Sequence, residues 1–152
     1  KINYFKRNPI LSSSEAKSDD VVYDFLENYE CDFIVWFNAI APLQSIEDIN
    51  SFVETLIKKN FDSLFSIKTE YIQALYKNSP LNFTLKEKFS KTQDLDPIKL
   101  FVPSLMGWNV NAFKKNYIKN KFSFFTGKIG FYELKSKLSS LVIKNSTVSI
   151  PM

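Results

Sequence analysis

The sequence predicts an α/β fold, a three-layer sandwich built around a mainly parallel sheet. Phe33–Phe37 is a continuous apolar run, which is typical of an interior strand buried on both faces. After a polar loop, Ile46–Lys59 carries apolar residues at the spacing of an amphipathic helix that packs on the sheet. Strand-like and helix-like segments alternate through the first half of the chain, as they do in α/β domains.

The first two predicted helices have clear start signals. Ser18 can cap a helix whose first turn carries Asp19 and Asp20, because carboxylates favour the positive end of the helix dipole. Ser45 precedes the second helix, with Asp48 three residues later, which is the spacing of a capping interaction. Capping therefore explains these acidic residues without a catalytic role.

The second half of the chain is predicted to contain hairpins and short strands. Ile72–Tyr76 and Leu81–Leu85 flank a polar turn, as the strands of a hairpin do. Pro103 separates two strand-like segments, since proline cannot donate a hydrogen bond to a ladder. The predicted segments around it and beyond are Ile98–Val102, Ser104–Val110, a helix Ala112–Ile118 that Asn111 can cap, and strands within Thr126–Leu134 and at Leu141–Lys144; a first strand is expected at Ile2–Phe5.

Length and composition indicate one domain, residues 1–152. With 45% hydrophobic residues and 15 Phe, the chain can bury a sizeable core. The net charge is +4, but the lysines are scattered and form no basic block with interleaved aromatics, so nucleic-acid binding is not predicted. No apolar run approaches the roughly 20 residues of a membrane span, so no membrane contact is expected. The chain opens on Lys1 and not on Met, so we expect an N-terminally incomplete domain.

Cysteine, histidine and glycine usage excludes several kinds of site. The single Cys31 cannot form an intramolecular disulfide and suits a reducing environment, so a cytoplasmic location is expected. Without histidine, the chain lacks the commonest metal ligand and general base, and Cys31 lacks an imidazole partner. With 3 Gly and no glycine-rich motif, no phosphate-binding loop is predicted.

Candidate ligand-binding residues lie in the loops. Asn38 follows the predicted inner strand, at the carboxyl end where α/β sheets bind ligands; an Asx-type loop contact is the alternative. Asp94 and Asp96 are either site residues or part of a solvated turn. Arg7 either holds an anion or is an exposed charge.

Three groups of motifs follow one another along the chain. Phe37–Gln44 and then Ser45–Ile49 are similar to a loop L-Q-P-T-S-P-L-R followed by a helix that begins S-x-E-D-I. Lys91–Pro97 is similar to R-Q-D-L-x-P, and the stretch from Arg7 to Ser18 is similar to R-P-x-x-L followed by A-x-S. In this order, from Arg7 to about Lys144, the chain resembles the acylneuraminate cytidylyltransferases, the CMP-sialic acid and CMP-Kdo synthetase type.

The resemblance implies a fold like that of the nucleotide-diphospho-sugar transferases and a defined reaction. CMP would be transferred from CTP to an acidic sugar, with release of pyrophosphate and a requirement for Mg²⁺. It also implies a homodimer, to which the aromatic-rich segment from Ile98 to Phe125 is expected to contribute, since excess apolar surface marks interfaces. The site residues that it implies are Arg7 and Ser18 for the nucleotide, and Asn38, Gln44, Gln93 and Asp94 for the substrate.

The chain departs from the family at several motifs. The family's first strand and triphosphate-binding loop are absent from this sequence, and no catalytic residue is assigned. The metal-binding D-x-D aligns with Val142, Ile143 and Lys144, which offer no oxygen side chain, so we predict no Mg²⁺ site there. Two hypotheses remain open. The resemblance favours an enzyme of this type; the alternative is a non-catalytic sugar- or nucleotide-binding or assembly protein that retains the fold.

Overall fold

The computed structural model describes residues 3–86, 88 and 91–143. Within them the chain forms a mixed α/β domain in which three α-helices accompany a central sheet. The helices are α1 (Ser18–Asn28), α2 (Ile46–Lys58) and α3 (Val110–Asn120), and the strands are β1 (Phe33–Phe37), β2 (Ser63–Glu70), β3 (Leu75–Tyr76), β4 (Ser79–Pro80), β5 (Ile98–Asn109) and β6 (Ile129–Glu133). Short 3-10 turns lie at Pro9–Ser12, Thr92–Asp94 and Leu138–Ser140.

The central sheet has four described strands in the order β1-β5-β2-β6. Strands β1, β2 and β6 run in one direction, and β5 lies antiparallel between β1 and β2. The prediction of a mainly parallel sheet is therefore wrong for the strand pairing. Of the three described strand pairs in this sheet, β1–β5 and β5–β2 are antiparallel and β2–β6 is parallel. The chain passes from β2 to β5 through the β3–β4 hairpin without a crossover helix, and neighbouring strands joined in this way run antiparallel.

Strand β1 lies at the edge of the described sheet. It pairs with β5 on one side, and no described strand lies on its other side. Its residues are half-buried, and Phe37 is 46% exposed, so the prediction of a fully buried interior strand is wrong for the described residues. Ile34 packs with the core cluster on one face and Val35 with the cluster on the other. The apolar run thus indicates that side chains cover both faces of β1. It does not indicate whether a neighbouring strand pairs with each of its two edges.

Apolar side chains form a separate cluster on each face of the sheet. Neighbouring strand residues point to opposite faces, so Leu64 and Phe65 of β2 belong to different clusters. Helices α1 and α3 cover the face of Phe65, and α2 covers the face of Leu64. The first cluster contains Val22, Leu26, Phe65, Met106, Trp108, Val110 and Phe113, and the second contains Phe52, Leu56, Leu64, Val102, Leu105, Tyr132 and Leu134.

The start signals of the helices are confirmed to within two residues. Helix α2 begins after Ser45, whose Oγ accepts a hydrogen bond from the Asp48 backbone N–H at 3.1 Å. Helix α1 has Ser18 as its first residue and not as its cap, and Lys17 occupies the cap position. Helix α3 is capped by Asn109 and not by Asn111, so it begins two residues earlier than predicted.

Two predicted strand regions differ from the structure. The hairpin turn lies at Lys77 and Asn78, which have φ values of 48° and 66°, because two consecutive residues of positive φ form the tight hairpin turn. Its strands are therefore shorter than predicted and shifted along the chain. At the predicted strands Ile2–Phe5 and Leu141–Lys144, the described residues 3–5 and 141–143 form no strand, and Ile2 and Lys144 lie outside the described residues.

The buried hydroxyl of Ser66 holds a bulge between β2 and β5 together. The register of this pair shifts between Phe65 and Ile67, opposite the part of β5 that contains Pro103. Ser66 Oγ donates to the Val102 carbonyl at 2.6 Å and accepts from the Leu105 N–H at 3.0 Å. The bulge accommodates Pro103 within one strand, so the predicted split of β5 is wrong.

We expect Ser66→Ala to lower the free energy of unfolding by about 2 kcal/mol, because the buried Leu105 N–H loses its acceptor. Urea denaturation measures the loss. Ser104→Ala is the matched control, since the Ser104 hydroxyl is equally buried but contacts only the Ser66 hydroxyl, at 3.1 Å, among the described hydrogen bonds. Equal losses in the two variants would show that Ser66 does not hold the bulge.

Candidate functional site

A cavity of about 440 Å³ lies at the carboxyl ends of β2 and β6. These strands are parallel, so their carboxyl ends meet at one edge of the sheet, which is where α/β sheets bind ligands. The end of β2, the end of β6 and the loop that follows β6 provide its walls. Its charged and hydroxyl-bearing lining residues are Lys68, Thr69, Glu70, Glu133, Lys135, Ser136, Lys137 and Ser140.

The cavity offers cationic and hydroxyl groups to a ligand. The ammonium of Lys68 is 2.9 Å from the Glu70 carboxylate, so this pair is neutralised internally. Lys135 and Lys137 are exposed and make no ion pair with a residue that the structure describes. The hydroxyl oxygen of Thr69 is shielded from solvent and has no hydrogen-bond partner within the described ranges. Three lysines and two glutamates, Glu70 and Glu133, line the cavity, so the lining carries a net positive charge and suits a polar ligand that carries a negative charge.

The loop that carries Lys135 and Lys137 is anchored by Asp48 in the first turn of α2. Asp48 is fully buried, and its carboxylate accepts hydrogen bonds from the Tyr132 hydroxyl at 3.0 Å, the Lys135 N–H at 2.9 Å and the Ser136 N–H at 3.1 Å. Burial raises the pKa of Asp48, but these bonds stabilise the carboxylate more strongly, so its pKa lies below the ordinary value. Asp48 therefore remains ionised at neutral pH.

Gln44 and Ser45 form a second anchor for the same loop. The Gln44 side-chain amide donates to the Ser139 carbonyl at 2.5 Å, and the Ser45 N–H donates to the Ser139 hydroxyl at 3.0 Å. The Gln44 amide oxygen is buried and has no partner in the part of the chain that the structure describes. The structure thus brings Gln44 to the loop that borders the cavity, and its binding of substrate stays a prediction.

Asn38 makes the loop contact that was the alternative to ligand binding. Its side-chain oxygen accepts from the Ile40 N–H at 3.3 Å, which is an Asx-type turn. Its own N–H donates to the Ser104 carbonyl at 3.0 Å, where β1 ends beside β5. A ligand-binding role for Asn38 stays a prediction.

Gln93 and Asp94 lie in an exposed 3-10 turn before β5. Gln93 lines an open cavity together with Thr92 and Tyr71, the residue that directly follows β2. This turn is therefore also beside the carboxyl end of β2. Substrate binding by Gln93 and Asp94 stays a prediction.

Arg7 and Ser18 are not brought to the cavity at the carboxyl ends. Arg7 is exposed, and its guanidinium donates to the Ser12 hydroxyl at 3.1 Å. Ser18 lines a separate cavity of about 490 Å³ whose other walls are mainly aromatic, including Phe122 and Phe125. Their predicted nucleotide-binding role remains a prediction.

The position that the resemblance assigns to the metal ligands is apolar. Val142 and Ile143 line a cavity of about 290 Å³ together with Pro42, Leu43 and Leu141, and Lys144 lies outside the described residues. The Ile143 N–H donates to the Ile40 carbonyl at 2.8 Å. These side chains provide no oxygen ligand, so they do not fit Mg²⁺. Among the described residues, no group of three or more His, Cys, Asp or Glu side chains could hold a metal ion.

The lysines of the cavity and the anchor at Asp48 were missed by sequence reasoning. The spacing of Ser45 and Asp48 predicted the cap correctly, but the same carboxylate also binds a loop 87 and 88 residues further along the chain. No local pattern indicates this second role. The alternation of Lys with Ser at positions 135–137 is typical of any polar loop.

Comparisons with known proteins show the fold alone. No model of a known protein family matches the sequence, and no curated protein matches it. Among solved structures, the chain is similar to the bifunctional IspDF from Campylobacter jejuni, with 16% identity and a TM-score of 0.55. The similarity covers 82% of this chain and 31% of that protein, so this chain spans less than a third of its length. The similarity therefore concerns the fold of the chain.

The part of the chain that the structure describes contains no helix that is long and apolar enough to cross a membrane.

We expect the stabilisation provided by Asp48 to be lost in acid. Its folded-state pKa lies below the ordinary value of 3.8, so the contribution is complete above about pH 5 and disappears as the pH falls below about 4. At pH 7, Asp48→Asn should be less stable by about 2 kcal/mol, because a buried N–H loses its acceptor. Urea denaturation between pH 7 and pH 3 should show this difference shrink as the pH falls. A difference that is independent of pH would contradict the assignment.

Proposed function

We propose that this chain is a cytidylyltransferase-like domain whose cavity at the carboxyl ends of β2 and β6 binds an acidic sugar. The observation that carries the proposal is the set of cationic side chains at this edge of the sheet, with Lys135 and Lys137 free of described ion pairs. The nucleotidyltransferase-like fold and the order of the sequence motifs support it. The reaction proposed is transfer of CMP from CTP to the sugar, with release of pyrophosphate.

The chemistry of the cavity fits a sugar carboxylate. An ammonium group and a carboxylate form charge-assisted hydrogen bonds, which are roughly twice as strong as neutral ones. Lys135 and Lys137, both exposed, would supply the charge. The same lysines would also neutralise charge during phosphoryl transfer. We assign no step to Mg²⁺, because the residues at the implied metal position do not fit it.

The second candidate function is binding without catalysis. The observation that favours it is the apolar cavity at Val142 and Ile143, where the resembling family places metal-binding carboxylates. A chain that keeps the sugar cavity and lacks the metal ligands would still bind its ligand. The two candidates therefore differ in turnover and share the binding site.

We expect the chain to bind N-acetylneuraminate and not the neutral sugar N-acetylmannosamine in isothermal titration calorimetry. Lys135→Gln should weaken N-acetylneuraminate binding about tenfold, because one charge-assisted bond contributes about 1.5–3 kcal/mol. Lys115→Gln is the matched control, since Lys115 is an exposed lysine on α3, away from the cavity lining. Equal binding of the two sugars, or no binding of either, would overturn the proposed site.

Turnover separates the two candidate functions. The chain is incubated with CTP, Mg²⁺ and N-acetylneuraminate, and pyrophosphate is measured. Release that depends on the acidic sugar and falls in Lys135→Gln supports the transferase. Binding without release supports the non-catalytic alternative.

We also propose a homodimer, a cytoplasmic location and a three-layer sandwich for the single domain. The dimer is supported by exposed aromatic side chains in the segment expected to form the interface, namely Phe101, Phe122 and Phe125. Exposed apolar patches of this kind mark interaction surfaces. We expect light scattering to give a dimer at micromolar concentration, and Phe122→Ser to shift the mass towards the monomer. A monomer of the unmodified chain at that concentration would contradict the dimer.

A further inference from the structure

We infer that Asp48 is a positioning residue, which holds the loop of Lys135 and Ser136 in the geometry that the cavity needs to bind its ligand. The inference deepens the proposed function and rests on it. Asp48 does not line the cavity, whereas Lys135 and Ser136 do. Its effect on a ligand would therefore pass through the loop.

The hydrogen bonds of Asp48 fix two consecutive backbone amides of this loop. The Lys135 N–H donates to Oδ1 at 2.9 Å, and the Ser136 N–H donates to Oδ2 at 3.1 Å. Two bonds from neighbouring peptide groups to one carboxylate restrict both the position and the orientation of the backbone. The side chain of Lys135 therefore starts from a defined point at the wall of the cavity.

The carboxylate is itself held rigidly at the start of α2. Asp48 lies in the first turn, its N–H is capped by Ser45 Oγ at 3.1 Å, and Ser45 Oγ is 3.2 Å from Oδ2. The side chain is fully buried, so no water competes for its oxygens. Helix α2 packs on β5, β2 and β6 through Phe52 and Leu56, which connects the anchor to the core.

The donors of Asp48 divide between its two oxygens, and this division allows a matched test. Oδ1 accepts from the Tyr132 hydroxyl and the Lys135 N–H, and Oδ2 accepts from the Ser45 hydroxyl and the Ser136 N–H. An asparagine can keep the bonds of Oδ1, but its NH₂ group cannot accept from the Ser136 N–H or from the Ser45 hydroxyl. Asp48→Asn thus removes the hydrogen bond that fixes the Ser136 backbone amide of the loop. Tyr132→Phe removes one donor to the same carboxylate and leaves both backbone bonds of the loop in place.

The experiment compares these two variants with the unmodified chain. Isothermal titration with N-acetylneuraminate measures affinity, amide hydrogen exchange follows Lys135 and Ser136, and urea denaturation measures stability. We expect both variants to be destabilised. Asp48→Asn should bind about tenfold more weakly and exchange the Ser136 amide faster, whereas Tyr132→Phe should keep the affinity and the protection of both amides.

The outcomes separate this inference from the proposed function. If both variants lose affinity in proportion to stability, or if Asp48→Asn binds normally, Asp48 has a structural role only and the inference is wrong. If the unmodified chain does not bind N-acetylneuraminate, the proposed function is wrong. The inference is then judged by the amides: faster exchange at Ser136 in Asp48→Asn alone supports the positioning of the loop, and unchanged exchange overturns it.

Discussion

The buried carboxylate of Asp48 joins the start of α2 to the loop after β6, and the shape of the cavity depends on this connection. A buried ionised carboxylate is costly unless its oxygens are paired. Here the nearby Ser45 hydroxyl pairs with them, together with the Tyr132 hydroxyl and two backbone N–H groups that lie 84 to 88 residues away along the chain. The cost of burial therefore favours one loop geometry, because displacement of the loop would remove both backbone N–H donors of the carboxylate.

Carboxylates in the first turn of a helix also bind distant segments on the other face of the sheet, at the start of α1. Asp19 accepts hydrogen bonds from the Ser123 N–H and from the Phe124 N–H, and Asp20 accepts from the Tyr117 hydroxyl at 2.5 Å. Burial, followed by the bond to Asp20, raises the pKa of Tyr117 to about 12. First-turn carboxylates thus connect α1 with α3 and with the segment that leads to β6. Hydrogen bonds to first-turn carboxylates thus fix distant segments of the chain on both faces of the sheet.

The cavity at the carboxyl ends of β2 and β6 differs in polarity from the cavity at Val142 and Ile143. The carboxyl ends of β2 and β6 are lined by charged and hydroxyl side chains, whereas the space around Val142 and Ile143 is lined by apolar ones. The chain thus combines a polar cavity at the carboxyl ends of β2 and β6 with an apolar one at the position that the sequence resemblance assigns to metal ligands. Binding and turnover are separable properties of such an arrangement.

The sequence by itself determined the elements whose signals are local. The apolar stripe and the Ser45 cap determined α2 to within one residue, and the apolar run determined β1. Gln44, which only the family resemblance singled out, lies against the loop that borders the cavity, and its binding of substrate stays a prediction. These signals are local because helix periodicity, caps and the burial of strand faces depend on neighbours along the chain.

Only the tertiary structure decided the direction of β5, the edge position of β1 and the cavity itself. Strand direction and edge pairing depend on which backbone lies alongside, and a hydrophobic pattern reports only which faces are covered. Lys68 and Lys135 line one cavity because β2 and β6 are parallel neighbours, and Asp48 is more than a helix cap because β6 ends beside α2. Contacts between residues so far apart in the chain leave no trace in local spacing.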